Sequence, residues 1–418
     1  MKQIAIFSPN YSPELGACAS RIQYLAEHLE KQGNQVTVYT TFPNYPTGSI
    51  FSTYKKFIFK KIIHKEKINN INVIRFSFYP SNSSSSFVRI FSMITLALSW
   101  FLAFPFLKKQ HPDSILIQSP PLLPVLTVWI LSKMIAKKKY TPSFILNISD
   151  LYPRVLLDLN KIKGHTIYNL LLNFEEFIYK KTNFIIGQSE EIVNYIQKIV
   201  PSTPVFLYRN GVDTDNFKIK ENYEIDKKEP IKLVYAGLLG MAQGVLQALE
   251  HINFEKINAE LHLYGNGNER ILIENFISKT FLGTNKKQRV FLYDAIPSKE
   301  IAQKLADYDA AIILQKRQII GTVPSKIYEA MAAGLPILLC GSGESANLIE
   351  KYNLGIVVES TKNKLINSIN YELLNQKIRI LKELPSEKRQ LFGTNGRKAA
   401  KINFDKKIQF KNIKKLFE

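Results

Sequence analysis

The sequence predicts an α/β protein of two successive domains, each built on a parallel sheet. Three observations predict it. The chain has 418 residues, long for one core, and 45% of them are apolar, ample for two. Short strand-like apolar runs alternate with longer helical ones along the whole length. One polar stretch, Arg209 to Pro230, interrupts the alternation and reads as a linker.

Strands of the first domain are predicted at IAIFS (4–8), VTVYT (36–40), NVIRFSF (72–78), SILIQS (114–119), SFILNIS (143–149) and NFIIGQS (183–189). Helical patterns lie between them at RIQYLAEHLEKQG, at 87–107, at LPVLTVWILSKMIAKKK and at 165–182. The second set of strands is KLVYAG (232–237), AELHLYG (259–265), RVFLYD (289–294), AAIILQ (310–315), LPILLC (335–340) and LGIVVE (354–359). The domains are expected at 1–208 and 209–400.

The stretch 87–107, FVRIFSMITLALSWFLAFPFL, is greasy. About 21 residues at ~1.5 Å rise give roughly 31 Å, enough to cross a bilayer. A true span would put SILIQS on the far side and split the first sheet. The expectation is therefore a monotopic helix, or one packed on the sheet with one greasy face. SNSSSS (81–86) before it offers N-caps.

The formal charge is +21, and nucleic acid is the first partner to weigh. No nucleic-acid recognition motif is present, however, and the charge is gathered in places. KKFIFKKIIHKEK (55–67) interleaves six lysines with bulky apolar residues, and the tail FDKKIQFKNIKKLFE does the same. That pattern fits an anionic membrane surface better than a phosphate ladder; a solvated lysine-rich face is the plainer alternative. Cys18 and Cys340 stand far apart, which argues for a reducing compartment and against structural zinc. The N-terminus, MKQIAIFSPNYSP, has too short an apolar run for a signal peptide and reads as a strand.

GTVPSKIYEAMAAGLP (321–336) is the most informative run. It predicts a helix from about Ser325 to Ala333, stopped by Gly334. The first turn offers free N–H groups and Lys326, a seat for phosphate. One turn further, Glu329 sits among small residues, an acceptor for hydroxyls. Donors for phosphate beside acceptors for hydroxyls suit a sugar nucleotide; an ordinary βαβ helix with an exposed glutamate is the plainer reading.

Ligands of doubly wound sheets sit at the carboxyl ends of strands. The first strand ends in SPNYSPELGACASR, where Gly16 lets backbone approach a ligand and Glu14 or Arg21 can touch it. SDLYP ends the fifth strand, placing Asp150 as a general base or as a helix N-cap ahead of Pro153. In the second half GLLGMAQG (237–244) has Gly237 and Gly240 three apart, then Gln243-Gly244 opening a helix, a plausible phosphate turn. YGNGNE brings Gly265 and Gly267, but Arg270 stands where a GxGxxG fingerprint needs its third glycine. YDAIPSKE (293–300), with Pro297, has the look of a loop beneath a base. Asp213-Thr214-Asp215 is a D-x-D, but its linker position favours turn capping over a metal. Six histidines are scattered without zinc spacing.

Together, NGVDTDNF, the glycine turn with QG, YGNGNE and YEAMAAGLP resemble a retaining glycosyltransferase of family four with the GT-B fold. FSPNYSPELGACASRIQYLAEHL, FPNYPTG (42–48) and SDLYP look like its WbuB-like branch, which transfers amino sugars during surface polysaccharide assembly. The resemblance covers nearly the full length. It implies two Rossmann-like domains with a cleft between them, a final helix (about 401–418) packing back on the first domain, and no metal or other cofactor.

Carried over residue by residue, Glu329 matches the second glutamate of the family's E-x7-E pair, which holds ribose hydroxyls. The first glutamate falls at Gly321 and is missing. The basic residue of the glycine-turn helix falls at Gln243, another departure, and Lys326 supplies charge in its place. Ser149-Asp150 replaces the family's His-Asp, so Asp150 inherits the catalytic role, with Glu14 the other candidate. The resemblance implies donor contacts from Gly16 and Arg209, from Gly237, Gly240, Gln243 and Gly244, from Gly265, Gly267 and Pro297, and from Val323, Pro324, Ser325, Lys326 and Glu329. The implied reaction takes a hexose or N-acetylated sugar from a nucleotide-diphosphate sugar to a polyprenyl-diphosphate-linked acceptor. The expected place is peripheral, at the cytoplasmic face of the plasma membrane, with no nucleic-acid partner. Rival readings are a nucleotide-sugar epimerase of the same fold, which needs no membrane surface, and a degenerate membrane-bound scaffold, supported only by Gly321 and Gln243.

Overall fold

The computed structural model describes residues 1–14, 16–58, 61–83, 85–158, 164–281, 286–316, 319–363 and 366–418. They form two compact units, Met1–Asn210 with Phe410–Glu418, and Gly211–Gln409.

The first unit holds an eight-stranded sheet in the order β3-β4-β2-β1-β5-β6-β7-β8. Its strands are β1 (Gln3–Phe7), β2 (Gln35–Thr41), β3 (Ile63–Ile68), β4 (Ile71–Phe76), β5 (Ser114–Ser119), β6 (Ser143–Ile148), β7 (Phe184–Gly187) and β8 (Val205–Leu207). All neighbours pair parallel except β3, which runs antiparallel to β4. Helices on both faces bury the central strands, so β5 and β6 read as continuous apolar runs. Ile4, Ile6, Val36 and Val38 pack against Ile22 and Leu25 of the helix Ala17–Lys31.

Two expectations about the charged stretches change. Residues 55–67 are not one interfacial segment: Ser52–Ile58 is helical and β3 is the edge strand of the sheet. Lys65 and Lys67 are exposed on that edge, where lysine disfavours pairing with another chain. Phe59 and Lys60 lie outside the described residues. In the tail, the apolar residues Phe410, Ile413, Leu416 and Phe417 are buried in the first unit's core and are not offered to a membrane. Residues 401–409 belong to the second unit, and only 410–418 to the first.

The greasy segment is helical over Ser86–Trp100, tightens into a 3₁₀ turn at Phe101–Ala103 and resumes at Phe104–Gln110. The whole run Ser86–Gln110 is 25 residues, and its most apolar 18-residue window has mean hydropathy 2.0. It packs on the sheet: Trp100 meets Phe7 of β1 edge-on at 5.3 Å, and Leu96 and Ala97 are buried. The opposite face leaves Phe87, Ile90, Phe91, Ile94 and Leu98 exposed. Ser85 holds the N-cap position without a side-chain capping bond, and Ser84 lies outside the described residues.

The second unit holds a six-stranded, all-parallel sheet in the order β11-β10-β9-β12-β13-β14. The strands are β9 (Ile231–Ala236), β10 (Ala259–Tyr264), β11 (Val290–Tyr293), β12 (Ala310–Leu314), β13 (Ile337–Cys340) and β14 (Gly355–Val358). That is the doubly wound order, with its switch point between β9 and β12. A short antiparallel hairpin, β15 (Ser360–Asn363) and β16 (Ile366–Ile369), follows.

Candidate active site

Ala236 ends β9, and Gly237 begins the loop at the switch point. Gly237 has φ 149°, a conformation that favours glycine. A methyl group there would overlap Cε and Nζ of Lys326. The lysine therefore lies directly across the loop, from the first turn of the helix Ser325–Ala333. Its Nζ stands 5.1 Å from the ring centroid of Tyr235. Glu329 follows one helical turn later, on the same side. Crowding by protein lowers the Lys326 pKa, while the Glu329 charge raises it. Burial raises the Glu329 pKa, against Lys326, a hydrogen bond from Ser325, and Lys406. The pair sits at the sheet's ligand-binding end with a cation one turn before an acceptor. Such a pair can offer a cation to an anionic group and an acceptor to a hydroxyl one turn away.

Other donor-side expectations resolve differently. Gly265 and Gly267 are glycines because two loops pack backbone to backbone: added methyls would overlap the Gly237 and Leu239 carbonyl oxygens. Leu239 N–H donates to Asn266 O at 2.9 Å across that contact. Arg270, in the place of the third glycine, ties the turn down by donating to Gly265 O at 2.7 Å and Tyr293 O at 3.1 Å. Gln243 folds its amide oxygen back over Gly240, and that oxygen is buried without a hydrogen-bond partner among the described residues. Gly244 adopts φ 74° at the start of the helix Val245–His251, and the stem of Lys316 fills its open side. Pro324 begins the Ser325–Ala333 helix, but Val323 is buried in the core and does not face a ligand. Pro297 is exposed at the start of the helix Ser298–Lys304. Arg209 belongs to the first unit, where it is buried and paired with Glu190 at 2.9 Å.

Asp213 accepts from Asn216 Nδ2 at 2.9 Å, and Asp215 pairs with Lys407 at 2.7 Å. Each aspartate is thus used locally. Among the described residues no group of three His, Cys, Asp or Glu side chains gathers.

In the first unit, a cavity of about 420 Å³ lies at the carboxyl ends of the sheet. Loops after β1, β2, β4, β5 and β6 contribute Asn10, Asn44, Ser81, Pro120 and Asp150 to its wall. Asp150 is half-buried there. The next helix begins only at Arg154, so Asp150 does not hold its capping position. Beneath it runs a polar network that sequence reading missed. Arg21 donates to Asn147 Oδ1 at 2.7 Å, and Gln118 donates to Ser149 Oγ at 2.8 Å. The signal was available: Gln118 and Asn147 are polar residues inside apolar strands. Arg21 is itself buried, with its guanidinium 4.7 Å from the Tyr208 ring centroid, and so does not reach a ligand.

Glu14 also corrects. Its Oε1 accepts from Asn44 N–H at 2.7 Å and Tyr45 N–H at 2.8 Å. Oε2 accepts from Tyr11 N–H at 3.0 Å and Asn10 Nδ2 at 3.2 Å. The carboxylate is spent joining the loop after β1 to the loop after β2, and it shapes the cavity without acting as a base. Gly16 is half-buried and extended (φ 165°), and Tyr45 lies against it.

Replacing Glu329 with alanine removes a charged acceptor from a crowded site, and is expected to weaken nucleotide-sugar binding by roughly 1.5–3 kcal/mol. Lys326→Ala is expected to weaken nucleoside-diphosphate ligands more than the bare nucleoside, and Gly237→Ala to mimic it by displacing the lysine. Calorimetric titration checks all three, and unchanged affinities would remove these residues from the site.

Residues 215–399 match the family described as glycosyl transferases group 1. The Escherichia coli (strain K12) protein named as the colanic acid biosynthesis glycosyl transferase WcaI is 24% identical over 349 residues, covering 79% of this chain and 81% of its own. Sucrose-phosphate synthase of Thermosynechococcus elongatus has a similar structure, with TM-score 0.72, 15% identity, and coverage of 100% of this chain and 98% of its own. HepE of Anabaena, solved with UDP-glucose, gives TM-score 0.63 at 15% identity, covering 100% and 99%. The two Rossmann-like sheets and these likenesses agree: the chain is a glycosyltransferase with the GT-B fold, and its residues 215–399 carry the match to the group 1 family.

Proposed function

We propose that the chain is a retaining glycosyltransferase of surface polysaccharide assembly. It takes a hexose or N-acetylated sugar from a nucleotide-diphosphate sugar to a lipid-linked saccharide. The observation that carries this reading is the placement of Lys326 across Gly237, with Glu329 one turn behind. Support comes from WcaI, whose name ties it to colanic acid, and from HepE, whose structure holds UDP-glucose.

Lys326 and the first turn of its helix stabilise the diphosphate as negative charge develops on it, so the leaving group departs without a proton. Glu329 accepts from ribose hydroxyls and fixes the nucleotide. Asp150 orients the acceptor hydroxyl, which attacks the anomeric carbon from the face the diphosphate leaves, giving retention. Screening the purified protein against a panel of nucleotide sugars for donor hydrolysis tests the reading; a panel without any hydrolysed donor would overturn it.

Charge compensation by Lys326 makes a divalent metal dispensable on this reading. Turnover is expected to survive EDTA, and loss of turnover restored by manganese would contradict it.

The protein sits peripherally on the cytoplasmic face of the plasma membrane. The supporting observation is the exposed row Phe87, Ile90, Phe91, Ile94 and Leu98 on the outward face of the Ser86–Trp100 helix. A lysine close to an anionic leaflet adds on the order of 1 kcal/mol. High salt or carbonate is expected to strip at least part of the protein from membranes. Resistance to both would indicate deep insertion, and fully soluble behaviour would return the charge to a solvated face.

A further inference from the structure

Among the described residues lining the first unit's cavity, Arg89 is the one cation and Asp150 the one anion. At about 420 Å³ the cavity falls within the range of small-molecule sites, about 300–1,000 Å³. Arg89 lies near the start of the Ser86–Trp100 helix, and its guanidinium is exposed. No carboxylate among the described residues pairs with it. Its field does reach the cavity wall, where it opposes the rise that burial gives the Tyr152 pKa.

The helix that carries Arg89 has two distinct faces. Successive residues turn by about 100° around the axis. Arg89, Ser92, Met93 and Leu96 fall together and line the cavity. Phe87, Ile90, Phe91, Ile94 and Leu98 fall on the other side and are exposed. Arg89 thus stands on the same helix as the apolar row, in its first turn but on the opposite face.

We propose that Arg89 and the adjoining mouth of this cavity bind the phosphate that joins the acceptor saccharide to its lipid. The proposal rests on the reading of the acceptor as lipid-linked. A saccharide in the cavity must present a hydroxyl, not a phosphate, to Asp150, because two anions repel. Its phosphate then belongs at the cationic end. From there the hydrocarbon passes around the first turn of the helix to the apolar row, which stays exposed although the Tyr79 ring meets Phe91 at 5.5 Å. Guanidinium is the right group for this place: its planar fork matches phosphate oxygens in a bidentate way, which an ammonium does not.

Phosphate chemistry also occurs on the donor, so the test must separate the two sources. The full-length protein is titrated with geranyl diphosphate, a short soluble isoprenoid diphosphate without a sugar or nucleoside. Arg89→Ala is expected to weaken its binding at least tenfold, Arg89→Lys by less, and Lys326→Ala hardly at all. Arg89 is exposed, and melting curves of the variants should overlay the parent. The subsite is overturned if the parent does not bind geranyl diphosphate, if Arg89→Ala binds as well as the parent, or if the loss follows Lys326→Ala instead. Transfer to a lipid-linked saccharide by the parent is measured separately: transfer that persists while geranyl diphosphate ignores Arg89 removes only the subsite.

Discussion

Asp150→Asn is expected to slow sugar transfer at least about a hundredfold, the scale of losing a positioned acid or base. The substitution keeps the shape of the side chain and removes its charge. Asp150 stands at the wall of the first unit's cavity, on a loop pinned from below by Ser149 and Gln118. Asparagine also keeps much of the side chain's hydrogen-bonding ability, so the variant should melt within a few degrees of the parent. Donor affinity should be unchanged, because Lys326 and Glu329 lie in the other unit. Steady-state transfer, thermal melting and donor titration measure the three quantities. Near-normal transfer would make Asp150 a structural residue and leave the cavity without a base.

Glu14→Ala is expected to act in the opposite way, on stability first. It leaves the backbone N–H groups of Tyr11, Asn44 and Tyr45 without their acceptor. A buried donor left unsatisfied costs about 1–3 kcal/mol. The Tyr11 bond is fully buried and those to Asn44 and Tyr45 are part-buried, so the loss is a sizeable share of a domain's stability, about 5–15 kcal/mol. The first unit should therefore melt many degrees early, while nucleotide-sugar binding by the second persists below that transition. Glu14→Gln should fall between the two, since its amide oxygen still serves one pair of donors while its NH₂ group faces the other. A Glu14→Ala variant that melts like the parent would mean that water replaces the carboxylate, and that the loops after β1 and β2 do not depend on it.

These two carboxylates also show what a sequence reveals and what it hides. Strands such as β12 and β13 are legible because both of their faces are covered, so their apolar runs are unbroken. Lys326 and Glu329 are legible because they lie one helical turn apart, so spacing alone puts them on one side. β3 was hidden: an edge strand alternating Ile, His, Lys and Glu looks like a basic surface segment. β8, only Val205–Leu207, is too short to carry a pattern. The tail misleads for a related reason, since its apolar residues fill a core more than 380 positions earlier in the chain, beside Ile22 and Leu25. Glu14 looked like a ligand contact because its partners Asn44 and Tyr45 are 30 and 31 residues away. Arg21 likewise finds Asn147 at a separation of 126. Partners at such distances follow from the register of the sheet, and no local rule supplies them.

The most direct test of the proposed reaction is movement of the sugar itself. Purified protein is incubated with labelled nucleotide-diphosphate sugars and a lipid extract containing polyprenyl-diphosphate-linked saccharides, and the organic phase is counted and its new linkage read by NMR. Label should enter the lipid phase from at least one donor, with the donor's anomeric configuration kept, and Lys326→Ala should abolish it. Label that never leaves the aqueous phase with any donor, or a product of inverted configuration, would contradict the assignment.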